Sequence, residues 1–215
     1  MIIMPVAASV LAPVQAVVFL TAVELLGPLP NLPAAWREAA RGEVALLLAG
    51  AVVALPLGLW WLTRVDPAVF GWAVSLIVLG LLGLLMTGWR FRGALTRPMT
   101  VAAGALGGFM TGFAGIPGPP VIMLYMASRL PVRVIRANFL LYLLAIDLML
   151  LPVLWLGGLL DWALVALGLA VGVIAFLANA LGARLFDPQA ENVFRAVAYI
   201  IIAASAILGL PIWKE

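Results

Sequence analysis

"GFAGIPGPPVIMLYMAS", residues 112–128, decides how this chain is read. Three glycines (Gly112, Gly115, Gly118) and three prolines (Pro117, Pro119, Pro120) interrupt a run that is otherwise membrane helix. Glycine admits left-handed backbone; proline fixes φ and removes an N–H. Inside a bilayer no water satisfies the freed polar groups. Such a break is tolerated only where it is buried in protein or lines a cavity. The stretch therefore predicts a helix ending near Gly115, a tight break, and a half-length helix opening at Pro119-Pro120.

The rest of the chain gives the break its setting. It has 215 residues, 66% hydrophobic and 10% charged, with a mean hydropathy of +1.22. Soluble domains carry roughly 25% charged residues. Too few polar residues remain to coat a water-facing surface, so the expected class is an all-α integral membrane protein. Cysteine and histidine are absent. That excludes disulfides, thiolate or imidazole metal sites, Cys or His nucleophiles and His-held haem; no cofactor or metal is expected. No P-loop is present. The net charge is +3. It fits basic cytoplasmic loops better than a nucleic-acid partner. "MIIMPVAASVL" at residues 1–11 lacks a basic n-region, so no cleavable signal peptide is expected.

Apolar runs cover roughly 2–10, 12–28, 44–63, 68–89, 98–115, 118–128, 131–157, 161–184 and 189–210. About 20 residues span a bilayer as helix, which predicts about seven transmembrane segments and two half-length pieces, 2–10 and 118–128. Pro56 and Pro152 fall inside predicted helices and are expected to kink them.

The halves resemble each other. "LGLWWLTRVDPAVF" (57–70) matches "LGARLFDPQAENVF" (181–194), and "IIMPVAAS" (2–9) matches "VIMLYMAS" (121–128). Their shared order predicts two repeats, 1–92 and 93–215, in one membrane domain. Arginines concentrate in the connections 29–43, 90–98, 129–133 and 184–188. Placing all four on the cytoplasmic side requires 98–128 to enter and leave by that side, as a hairpin. Equivalent connections of the two halves then lie on opposite sides, which is the pattern of an inverted repeat. The first half lacks a counterpart of 98–115, so its leading helix is expected to be absent, by natural shortening or truncation.

"GALGGFMTGFAGIPGPPVIMLYMASRLPVRVIRANFLLYLL" (104–144) resembles the second-half motif of the TauE/SafE family of membrane anion exporters. The matching residues are Gly108, Gly112, Gly115, Gly118, Pro119, Pro120, Pro131, Arg136 and Ala137. The first-half pattern fits 1–17 but lacks its glycine run. The resemblance implies two related helical repeats in a bacterial inner membrane. It also implies export of sulfite, organosulfonates or related sulfur anions.

On that reading the anion sits at helix ends near the midplane, where N-terminal amides and partial positive charge favour it. The candidate substrate-binding residues are Gly115, Pro117, Gly118, Pro119 and Pro120, with Met4 and Pro5 as first-half counterparts. Gln15, Arg136, Asn138 and Tyr142 are polar groups within spans and join them. For Arg136 the alternative is snorkelling to headgroups; for Asn138 and Tyr142 it is hydrogen bonding between helices. Asp147 shares a helical stripe with Arg136, about 16 Å further along. Glu24 and Asp147 are the coupling candidates, structural pairing being the alternative. They are the only acids deep in predicted spans, which disfavours an enzyme. An accessory subunit without its own pore is the other reading.

Gly104, Gly108 and Gly112, and Gly168 with Gly172, have the four-residue spacing of close helix packing. The tryptophans cluster near segment ends, as an interfacial belt does. The expected partners are a small sulfur anion, the bilayer and a possible homodimer.

Overall fold

The computed structural model describes residues 3–87, 96–126, 128, 130–185 and 191–210. Expectations for Met1, Trp89, Arg90, Arg92, Arg129, Asp187, Pro188, Trp213 and Lys214 lie outside these residues, as do those for the side chains of Arg184 and Arg195. Ten α-helices follow in order: α1 Ile3–Val10, α2 Pro13–Glu24, α3 Leu32–Glu38, α4 Arg41–Leu62, α5 Pro67–Thr87, α6 Arg97–Ala114, α7 Gly118–Met126, α8 Val132–Leu156, α9 Trp162–Leu185 and α10 Glu191–Leu208. Among the described residues there is no strand. The all-α membrane class and the half-length α1 and α7 agree with the sequence reading.

Among the described residues two helices, α4 and α8, are long and apolar enough to cross a membrane. Pro56 and Pro152 lie inside these two helices, which continue through them. A third span arises if α2 and the Leu29–Glu38 segment, bent by 41° at their break, count as one. This corrects the sequence reading in one place. The span expected over 12–28 stops at Glu24, and the connection 29–43 carries a 3-10 turn, Leu29–Asn31, and α3. Gly27, Pro28 and Pro30 break the first helix. Pro33, in the first turn of α3, suits a helix start because its missing N–H would have no helical acceptor.

The closest packing is between α4 and α6, and glycine makes it possible. A Cβ on Gly104 would strike the Leu47 carbonyl, and one on Gly112 the Leu55 carbonyl. A Cβ on Gly108 would lie 2.6 Å from the Ala51 Cα. In return Gly50 abuts Val101 and Gly58 abuts Phe109. The residue numbers rise together on both helices, so α4 and α6 run parallel with their backbones in contact. Gly168 and Gly172 bring α9 onto α2 in the same way, against Ala22 and Val23. The packing role expected for these glycines is what the structure assigns them.

The parallel pair also fixes the path of the break. Helices α4 and α6 begin at the same end of the molecule. The Ala40 N–H, just before α4, donates to Asn138 Oδ1 at 2.8 Å, so α8 begins at that end too. The chain from α6 through α7 therefore goes out and returns, as the arginine pattern predicts. The core is formed by Met4, Val17, Leu20, Leu47, Leu55, Phe70, Tyr142, Ile146 and Leu150 among others, all essentially inaccessible.

Candidate functional site

Helix α6 ends at Gly115, whose φ of +64° is left-handed backbone that glycine adopts without strain. Its N–H donates to Thr111 O at 2.8 Å, and the Ile116 N–H donates to Met110 O at 3.3 Å. This is the αL closure of a helix end, the amide of the left-handed glycine reaching the carbonyl four residues back, with Ile116 buried beside it. Pro117 follows, then α7 opens with Gly118-Pro119-Pro120. The bookkeeping of donors across 115–120 is simple. Gly115 and Ile116 give their N–H groups back to α6, and three prolines have none. Among the described residues Gly118 alone keeps an unpaired N–H in this stretch. The sequence reading places free amides in the first turn of this helix and prolines where an N–H would be unpaired anyway; within 115–120 that leaves the one at Gly118.

The break lines a cavity of about 660 Å³. Gly115, Pro117, Gly118 and Pro119 form one wall. Helix α8 supplies Arg136, Phe139, Leu143 and Asp147, and α9 supplies Gly172 and Phe176. Glu24 closes the cavity at the end of α2. The spacing of Arg136, Phe139, Leu143 and Asp147 is one helical face, so the stripe read from the sequence does enter a common space. Arg136 is exposed and has no hydrogen-bond or ion-pair partner among the described residues. Asp147 is 3% exposed and accepts no hydrogen bond there. Glu24 and Asp147 line this same cavity from different helices. Among the described residues, one cation, two carboxylates and one free amide thus meet in an otherwise apolar chamber.

The remaining candidates lie elsewhere. Met4 is fully buried in the core, and Pro5 packs against Gly209 at the end of α10. Their neighbour Ile3, unmarked in the sequence reading, is the α1 residue that lines the cavity. Gln15 is exposed and caps its own helix, its Oε1 accepting the Ala12 N–H at 3.2 Å. Asn138 faces Ala40, away from the cavity. Tyr142 is fully buried, its hydroxyl without a partner and pressed against Gly107. Pro120 is in the first turn of α7 but outside the lining. Phe139 and Phe176 were missed because an apolar residue on an apolar helix carries no signal of its own. Phe139 was reachable, since it sits on the Arg136–Asp147 stripe.

No group of three acidic, His or Cys side chains that could hold a metal occurs among the described residues. Neither a curated protein nor a solved structure matches the chain. The profile of one protein family does, "Sulfite exporter TauE/SafE", over residues 1–208. A match of that extent covers every helix described above, both half-length pieces included, and the chain belongs to the TauE/SafE family of sulfite exporters.

Proposed function

We propose that the chain moves a small sulfur oxyanion, sulfite or an organosulfonate, outward across the bacterial inner membrane through the cavity at the α6–α7 break. The observation that carries this reading is the meeting of the Gly118 N–H, Arg136 and the Glu24–Asp147 pair in one chamber. The amide and the guanidinium attract the anion. The two carboxylates repel it unless a proton is held between them, so anion and proton pass together. Pro117 and Pro119 keep the break open, and Gly115 lets the anion approach the backbone. Met4, Pro5, Gln15, Pro120, Asn138 and Tyr142 hold the surrounding helices.

The chain works as two inverted repeats, 1–92 and 93–215, in about seven spans. Part of the pattern of helix contacts supports the duplication, although among the described residues the contacts of α1 with α5 and α10 have no comparable counterpart at α7. Exchanging the halves turns α2 into α8, α4 into α9, α1 into α7 and α5 into α10. Under that exchange the α2–α9 contact becomes α8–α4 and the α1–α2 contact becomes α7–α8, and all four occur. The pairs α2–α8 and α5–α10 map onto themselves and also occur.

The test is flux in liposomes containing only the purified chain, with binding of sulfite, sulfate, taurine and sulfoacetate ranked alongside. Sulfite flux that depends on the chain and falls with Gly118→Leu is the expected result. Folded protein that binds none of the four and passes no sulfite would overturn the reading.

A further inference from the structure

A second cavity lies on the other side of α8. It occupies about 720 Å³ between α3, α4 and α8, within the ~300–1,000 Å³ common for ligand sites. Its walls are apolar: Leu32, Val44, Leu48, Leu141, Leu144 and Leu148. Val44, Leu141 and Leu144 form a buried floor, while Leu148 is 51% exposed, so the groove opens sideways. Its rim is different in kind. Trp36, Arg37 and Arg41 stand there. The Arg41 guanidinium lies 5.0 Å from the centre of the Trp36 ring. Among the described residues, Arg37 has no partner and no acid lines the groove.

A channel that is apolar along its length and doubly cationic at one end matches one kind of molecule. We propose that this groove holds one anionic phospholipid. Its phosphate lies between Arg37 and Arg41, its glycerol edge rests against Trp36, and one acyl chain fills the space between α3, α4 and α8. Tryptophan at headgroup level and arginines on the cytoplasmic face are where such a lipid would meet them. A zwitterionic lipid would bring its own cation against the two arginines and is disfavoured. The bound lipid ties α3 to α8, the helix that carries Arg136 and Asp147. The proposal does not depend on which anion is transported.

The experiment is native mass spectrometry of the whole chain in mild detergent, offered dioleoyl-phosphatidylglycerol and dioleoyl-phosphatidylcholine in competition. One phosphatidylglycerol should be retained per chain, preferred by roughly tenfold, since each basic residue near the headgroup adds to the attraction. Raising the salt concentration on the unaltered chain should erode the preference, which needs no variant to fold. Arg37→Gln with Arg41→Gln should leave the melting temperature unchanged and bring the preference below about threefold. Equal retention of the two lipids, a salt-independent preference, or a double variant that keeps the full preference would overturn the proposal. A dimer in which a second copy covers Leu148 and excludes lipid would do the same.

Discussion

Glu24 and Asp147 face one cavity from different halves of the chain, the first at the end of α2 and the second midway along α8. Neither is needed to hold the fold by hydrogen bonding to another described residue. Asp147→Asn keeps the size of the side chain and removes its charge. It should leave anion binding within about threefold and lower flux driven by an imposed proton gradient by about tenfold or more. Parallel measurements of binding and of gradient-driven uptake in liposomes check this. Equal loss of both would assign Asp147 to structure instead of coupling.

Gly107 and Tyr142 make a second prediction. A Cβ on Gly107 would run into the Tyr142 hydroxyl and lie 3.0 Å from the Pro117 carbonyl oxygen. Gly107→Ala should therefore destabilise the protein by about 1–3 kcal/mol through overpacking. Tyr142→Phe removes an unpaired buried hydroxyl and opens that space. The double variant should recover most of the loss, read as a positive coupling in a cycle of thermal melts.

Asn138 joins the start of α4 to α8 through its acceptor oxygen. Asn138→Leu would strand the Ala40 N–H and should cost about 1–3 kcal/mol. Asn138→Asp retains an acceptor in the same place and should cost less. Denaturation of the two variants in detergent gives the comparison, and equal losses would show that the bond contributes little.

The two glycines of the break should respond differently. Gly115→Ala places a Cβ on left-handed backbone, 3.0 Å from Leu20 Cδ2, and should cost about 1–2 kcal/mol of stability. Gly118 has no such backbone constraint, and a Cβ there meets the tip of the Phe139 ring at 3.2 Å and Ile122 Cδ1 at 3.9 Å, both of them side-chain ends. Gly118→Ala should melt close to the unaltered protein while reducing sulfite flux. Melting temperature and flux on the same preparations separate the two.

Much of this is legible in the sequence. Proline and glycine punctuation placed the α6–α7 break, because backbone sterics act locally and leave their mark in residue type. The Arg136–Asp147 stripe was readable because helical periodicity is fixed. What escaped the sequence depended on distant contacts. Nothing local says that Asn138 turns toward Ala40 and not toward the cavity, or that Ile3 takes the place expected of Met4 and Pro5. Nor does hydropathy separate a straight span over 12–28 from a helix that stops at Glu24 and resumes, bent, at Leu32. Gly27, Pro28 and Pro30 carried that information as plainly as the later break did.

The contact between α4 and α6 limits what can move. Where Leu47, Ala51 and Leu55 offer backbone to Gly104, Gly108 and Gly112, no side chain stands between the helices to change rotamer. Sliding one helix by a single residue would set a side chain against a carbonyl. The pair therefore has one register and transmits force as a single rod. Any rearrangement that opens the cavity to alternate sides must occur by other helices pivoting around that rod, not by shear within it.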